Sequence, residues 1–189
     1  MNVEALTQKL SNKLNLPEMK RLGLLTSEKE ISISDLFSLC LHTNHQIAFR
    51  ASWILEYVAI TYKSIFAEII PQFLKAYPLV KNLSVKRHFT KIMMILCKDN
   101  MLDDNNFKSG LHEKCLTATF DWLLDPKTPL AVQCNTLDLV YNFSKQEDWI
   151  SYELKVILEK NLITNSPALI SRSKRILKRL NSEETKFKK

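Results

Sequence analysis

Apolar residues recur along this chain at helical intervals, three and four positions apart, and no segment of any length alternates in the manner of a strand. Four apolar segments are each built around a similarly placed polar or basic residue: AFRASWILEYV near Arg50, VKRHFTKIMMIL near Arg87, AVQCNTLDLVY near Gln133 and ISRSKRILKRL near Arg172. The steps between these anchors are 37, 46 and 39 residues. A period of that size marks a stack of two-helix units, because one unit cannot bury its apolar faces alone.

The pattern resolves into four pairs. DLFSLCLH leads into NHQIAFRASWILEYVAI, and SIFAEIIPQFLKAY leads through a turn at Pro78 into SVKRHFTKIMMILCK. LHEKCLTATFDWLL then joins LAVQCNTLDLVYNFSK through DPKTP, and DWISYELKVILEKNL joins ALISRSKRILKRL through ITNSP. Residues 1–30 read as N-terminal cap helices with Pro17 at a helix start, 31–180 as the four pairs, and 181–189 as a flexible basic tail, all in one domain. Asn44 is expected to cap its helix, and Thr128 before Pro129 and Ser166 before Pro167 are expected to do the same. The predicted architecture is all-α: a right-handed superhelix of about four helix pairs with an N-terminal helical cap.

Placed at 100° per residue, the second helix of the first pair is apolar almost all round. Ile47, Ala51, Ile54, Leu55 and Val58 form one face and Phe49, Trp53 and Ile60 another, leaving Ser52 and Glu56 as a narrow polar strip. That is the pattern of an interior unit. The last second helix instead places Leu169, Ile176, Leu177 and Leu180 on one side and Arg172, Lys174, Arg175, Lys178 and Arg179 on the other, as a terminal unit with one solvated face requires.

With Arg50 followed by Ala51, Leu55 and Val58, and with Pro71 inside a first helix, residues 31 to 180 resemble the HEAT-repeat group of the armadillo-type superfamily. The chain is similar to small stand-alone helical-repeat proteins of that kind. Two features depart from the group's pattern. Its aspartate six residues before the arginine is replaced by Asn44, Lys81, Lys127 and Ser166, and Gln133 stands where the third arginine would be. The resemblance implies a scaffold or binding surface, with the proline bending its helix, and leaves the partner unnamed.

Charge narrows the choice of partner. The chain carries 27 Lys and Arg against 20 Asp and Glu, for a net charge of +7, but eight of those basic residues and only two acids fall in residues 172–189. The rest is therefore nearly neutral. A nucleic-acid groove along the stack would need basic residues in several units, since affinity comes from many phosphate contacts. Arg172, Lys174, Arg175, Lys178 and Arg179 are thus read first as a solubilising end that complements a helix dipole, and second as an anion-binding face.

Sharper chemistry finds little support. Gly23 and Gly110 are the only glycines, too few for a GxGxxG fingerprint and without the GK[ST] context of a P-loop. Cys40, Cys97, Cys115 and Cys134 are dispersed in apolar segments, as buried free thiols would be. His42 and His45 flank a turn with Asp35 as the one further ligand in range, and His88 and His112 are isolated. Asp121–Trp122 and Asp148–Trp149 recur on first helices as packing anchors beside acids. Base excision is a remote third reading, because HEAT-like glycosylases of alkylated bases place a tryptophan and a carboxylate on such a surface, parts that only Trp53 and Glu56 could fill.

The expectation is therefore a non-catalytic protein-interaction module that uses its concave face of second helices, without cofactor or metal. Arg50, Trp53, Arg87 and Gln133 serve as structural anchors of the repeats. Nucleic-acid or other polyanion binding at the C-terminal basic face is the alternative. The mixed opening MNVEALTQKLSNKL and the lack of any apolar run near 20 residues argue against a secretory signal or a membrane span and for a cytoplasmic protein.

Overall fold

The computed structural model describes residues 1–102, 110–145, 148–163 and 166–187. Among the described residues there are eleven α-helices, one short 3-10 turn and no strand. In order they are α1 (Val3–Ser11), α2 (Leu16–Ser27), α3 (Ile33–Cys40), α4 (His45–Thr61), α5 (Lys63–Ala67), α6 (Ile70–Ala76), α7 (Leu83–Lys98), α8 (Leu111–Leu124), α9 (Leu130–Phe143), α10 (Asp148–Leu162) and α11 (Pro167–Phe187). The chain, read from sequence as one domain, divides by packing into two compact units, Met1–Cys115 and Leu116–Lys189.

In the first unit, α4 lies against α1, α2, α3, α5 and α7. Its near-continuous apolar character has that purpose: Ile47, Ala48, Ala51, Ile54, Leu55, Val58 and Ala59 are all buried. Each fully buried Ile or Leu contributes roughly 1.5–3 kcal/mol. The orientation of the helix differs from the wheel reading in one respect. Ser52 and Glu56, expected on an open polar strip, are buried, while Ile60 is 52% exposed and Phe49 and Trp53 remain half-exposed. The buried polar groups find partners: the Ser52 hydroxyl donates to the Ala48 carbonyl at 2.7 Å, and Glu56 is held by the next helix.

Asparagine starts four of the described helices. The side-chain oxygens of Asn2, Asn15, Asn44 and Asn82 each accept first-turn amides, and Ser32 does the same for α3. The expected caps at Thr128 and Ser166 do not form. Pro129 itself occupies the cap position of α9, so Thr128 sits one residue too early, and its hydroxyl is buried without a hydrogen-bond partner. The Ser166 hydroxyl is also buried and unbonded, although its carbonyl accepts the Ile170 amide.

Pro71 breaks its helix where a bend was expected. A mid-helix proline would clash with the carbonyl four residues back. The chain instead stops α5 at Ala67 and restarts α6 at Ile70, placing Pro71 in a first turn where the missing N–H costs nothing. Gly23 marks a close crossing of α2 over α4, since a Cβ built there would lie 2.5 Å from the Tyr57 ring.

In the second unit, α9, α10 and α11 pack on one another around Leu137, Val140, Ile150, Leu154, Leu158 and Ile176. The last helix runs past residue 180 to Phe187, so residues 181–187, expected as a flexible tail, are helical.

Candidate functional site

Second helices pack directly on second helices in both units, α4 on α7 and α9 on α11. Each contact contains a buried carboxylate gripped by two basic side chains one turn apart on the next second helix. In the first unit, Glu56 faces His88 and Lys91: Oε2 lies 2.5 Å from His88 Nδ1, and Lys91 Nζ donates to Oε1 at 3.0 Å. Burial pushes the Glu56 carboxyl up, but the bonds and charges of His88 and Lys91 together outweigh it and hold the group below its ordinary value. The His88 ring also lies tilted against Phe49, with centroids 5.4 Å apart.

Asp138 takes the equivalent part in the second unit. Its carboxylate receives Arg172, and Arg175 Nη2 donates to its two oxygens at 3.0 and 3.3 Å. A buried charge left alone would cost several kcal/mol, so these pairs fix the helix contact as much as they stabilise it. Asp138 was not singled out in the sequence. A signal existed: the acid precedes its basic pair by 34 and 37 residues, close to the 32 and 35 that separate Glu56 from its own.

The remaining anchors divide. Arg50 reaches back to α1, where its Nη1 donates to the carbonyls of Leu10 at 2.8 Å and Ser11 at 3.1 Å, at a helix end whose carbonyls lack helical partners. Gln133 donates to the Asp125 carbonyl at 3.3 Å. Arg87 is exposed on α7. Trp53 is half-exposed and stacks on Phe49, with centroids 6.5 Å apart and ring planes at 20°.

The C-terminal basic cluster is not one continuous free face. Arg172 and Arg175 serve Asp138, and the Arg179 guanidinium lies 5.9 Å from the Tyr141 ring centroid, with Lys145 Nζ 5.0 Å from it. The Tyr141 hydroxyl donates to Glu183 at 2.6 Å. Burial, then the Glu183 carboxylate, pushes its pKa up to about 12. Lys174 and Lys178 are exposed.

Other candidates stay apart. His42 accepts the Asn44 amide through Nδ1 at 2.9 Å, and no group of three His, Cys, Asp or Glu among the described residues is arranged to hold a metal. The four cysteines are free thiols, and burial pushes Cys40, Cys97 and Cys115 up to about 12. Trp122 is buried and Trp149 is half-exposed against Phe120, while the side chain of Asp148 lies outside the described residues. Among the described residues no helix is long and apolar enough to cross a membrane.

A family model described as a HEAT repeat domain matches residues 6–180. Neither a curated protein nor a solved structure matches the chain.

Proposed function

Because the chain belongs to the HEAT repeat domain family, we propose that it is a non-catalytic protein-interaction module that binds through its second helices, the side expected to be concave. The observation that carries this reading is the double clasp, Glu56 on His88 and Lys91 and Asp138 on Arg172 and Arg175. Helices joined in this way present a surface whose geometry exists before a partner arrives, and preorganisation lowers the entropic cost of binding. In the remote base-excision reading Glu56 would have to act on a substrate, whereas both its oxygens are engaged by side chains of the protein.

Polyanion binding at the C-terminal face is the weaker alternative, because Arg172 and Arg175 are spent on Asp138. The test is affinity capture on the full chain from its source cell, then reconstitution with each purified candidate at physiological salt. Stoichiometric binding of a purified protein supports the proposal. Retention of nucleic acid alone, weakening steeply with salt, would install the alternative.

A further inference from the structure

Helix α10 is apolar on two opposite sides. At 100° per residue, Ile150, Leu154 and Leu158 fall on one side, and all three are buried where α10 packs on α9 and α11. Trp149, Tyr152 and Val156 fall on the other, and Ile163 continues their line in the turn that follows, where its amide bonds to the Lys160 carbonyl. All four are at least half exposed, from 50% at Val156 to 85% at Ile163. Successive steps of three, four and seven residues make this the narrow seam by which one helix packs along another.

The charged residues flanking the seam indicate what covers it. Glu153 and Lys160 lie on one flank, three residues before and four after Val156, while Tyr152 and Glu159 lie on the other, four before and three after. All four are exposed, and among the described residues no ion pair engages Glu153, Glu159 or Lys160. When two such helices run antiparallel about a two-fold axis at Val156, each flank meets the same flank of the other copy in the reverse direction. Glu153 then meets Lys160 of the second copy and Lys160 meets its Glu153. On the opposite flank the Tyr152 hydroxyl meets Glu159, and along the seam Trp149 packs on Ile163 and Val156 on Val156. The reciprocal ion pair exists in this direction only, because a parallel pair sets opposite flanks together.

From this self-complementarity we infer that the outer side of α10 is a contact between two copies of the chain, packed antiparallel. One helix seam from each copy lies at the small end of specific interfaces, below about 1,200 Å² in total, so the dimer is weak and reversible. The contact uses a first helix and goes beyond the recognition reading, which rests on the second helices.

Sedimentation velocity of the full chain from about 1 to 500 μM tests it, with circular dichroism to confirm that each variant is folded. The native chain should show a monomer–dimer equilibrium with a micromolar Kd. Tyr152→Ser/Val156→Ser, which changes only exposed side chains, should weaken it by about tenfold or more. Lys160→Glu alone should also weaken it, and adding Glu153→Lys to that variant should restore it, since the swapped charges pair again. A chain that stays monomeric throughout the range overturns the inference, as does a dimer that Tyr152→Ser/Val156→Ser leaves unchanged. A dimer weakened by Lys160→Glu but not restored by Glu153→Lys overturns the antiparallel arrangement. A monomeric chain that still binds a protein partner overturns the dimer and leaves the recognition reading intact.

Discussion

The Glu56 carboxylate and the His88 imidazole, 32 positions apart in sequence, meet at 2.5 Å in the buried contact between α4 and α7. Removing the acid leaves His88 buried against Phe49 and Lys91 without its counter-charge. Glu56→Ala is expected to destabilise the first unit by about 3 kcal/mol. Urea unfolding followed by circular dichroism measures it, and a loss below about 1 kcal/mol would mean that the clasp contributes little.

The same carboxylate sets an acid dependence. Its folded pKa lies below the ordinary 4.5, so its contribution is complete above that value and is lost as pH falls through the lower folded pKa. The urea midpoint of the native chain should therefore fall on acidification below about pH 4.5, and Glu56→Gln should flatten part of that decline. Parallel slopes for the two proteins would contradict the assignment.

Asp138 should behave as the keystone of the second unit. Asp138→Ala leaves two guanidinium groups facing a buried site and is expected to cost about 3 kcal/mol. Lys174→Ala and Lys178→Ala, on the exposed side of the same helix, should change stability by no more than about 0.5 kcal/mol. Amide hydrogen exchange in α9 and α11 separates these cases, with faster exchange only in the Asp138 variant.

Gly23 gives a prediction opposed to helix propensity. Alanine is the better helix former by up to about 1 kcal/mol, yet its Cβ would stand 2.5 Å from Tyr57 Cδ1. Gly23→Ala should destabilise by about 1–3 kcal/mol through overpacking. A thermal melt decides the sign, and Tyr57→Ala in the same background should recover part of the loss.

Two hydroxyl and amide positions test the caps. Asn82→Ala removes the acceptor for the Ser84 and Val85 amides and should cost about 1 kcal/mol. Thr128→Val replaces a buried hydroxyl that has no partner and should be neutral or stabilising. Equal losses in both variants would show that Thr128 caps α9 after all.

The helix pairs were legible because each second helix carries a long 3.6-residue pattern, and the identity of α4 as an interior helix followed from its lack of a wide polar face. The direction in which its residues point was not legible. A wheel ranks Ser52 and Glu56 as the natural surface strip, since it cannot know that His88 and Lys91 arrive from the next second helix to pair with Glu56. Trp53 likewise looked like core from its type and spacing, and is instead only partly buried, stacked on Phe49. The Pro71 break turned on local sterics that the family pattern of a bent helix conceals. Thr128 and Ser166 had the right residue types at the right spacing, yet in the Thr128 case Pro129 took the position that the threonine needed.

The two clasps solve one geometric problem with opposite assignments of side-chain length. Glu56, the longer acid, meets the short imidazole of His88, and Asp138, the shorter acid, meets the long guanidinium of Arg172. At the more buried base of each clasp the helix contact constrains the summed reach of acid and base, so shortening either of those two partners opens a gap that lengthening the other can close, while Lys91 and Arg175, both long and more exposed, reach in beside them. Glu56→Asp should be tolerated far better together with His88→Arg than by itself. Across relatives of this chain, these positions should then vary as correlated pairs and resist changing one at a time, an outcome that paired substitutions at Glu56 and His88 can check directly.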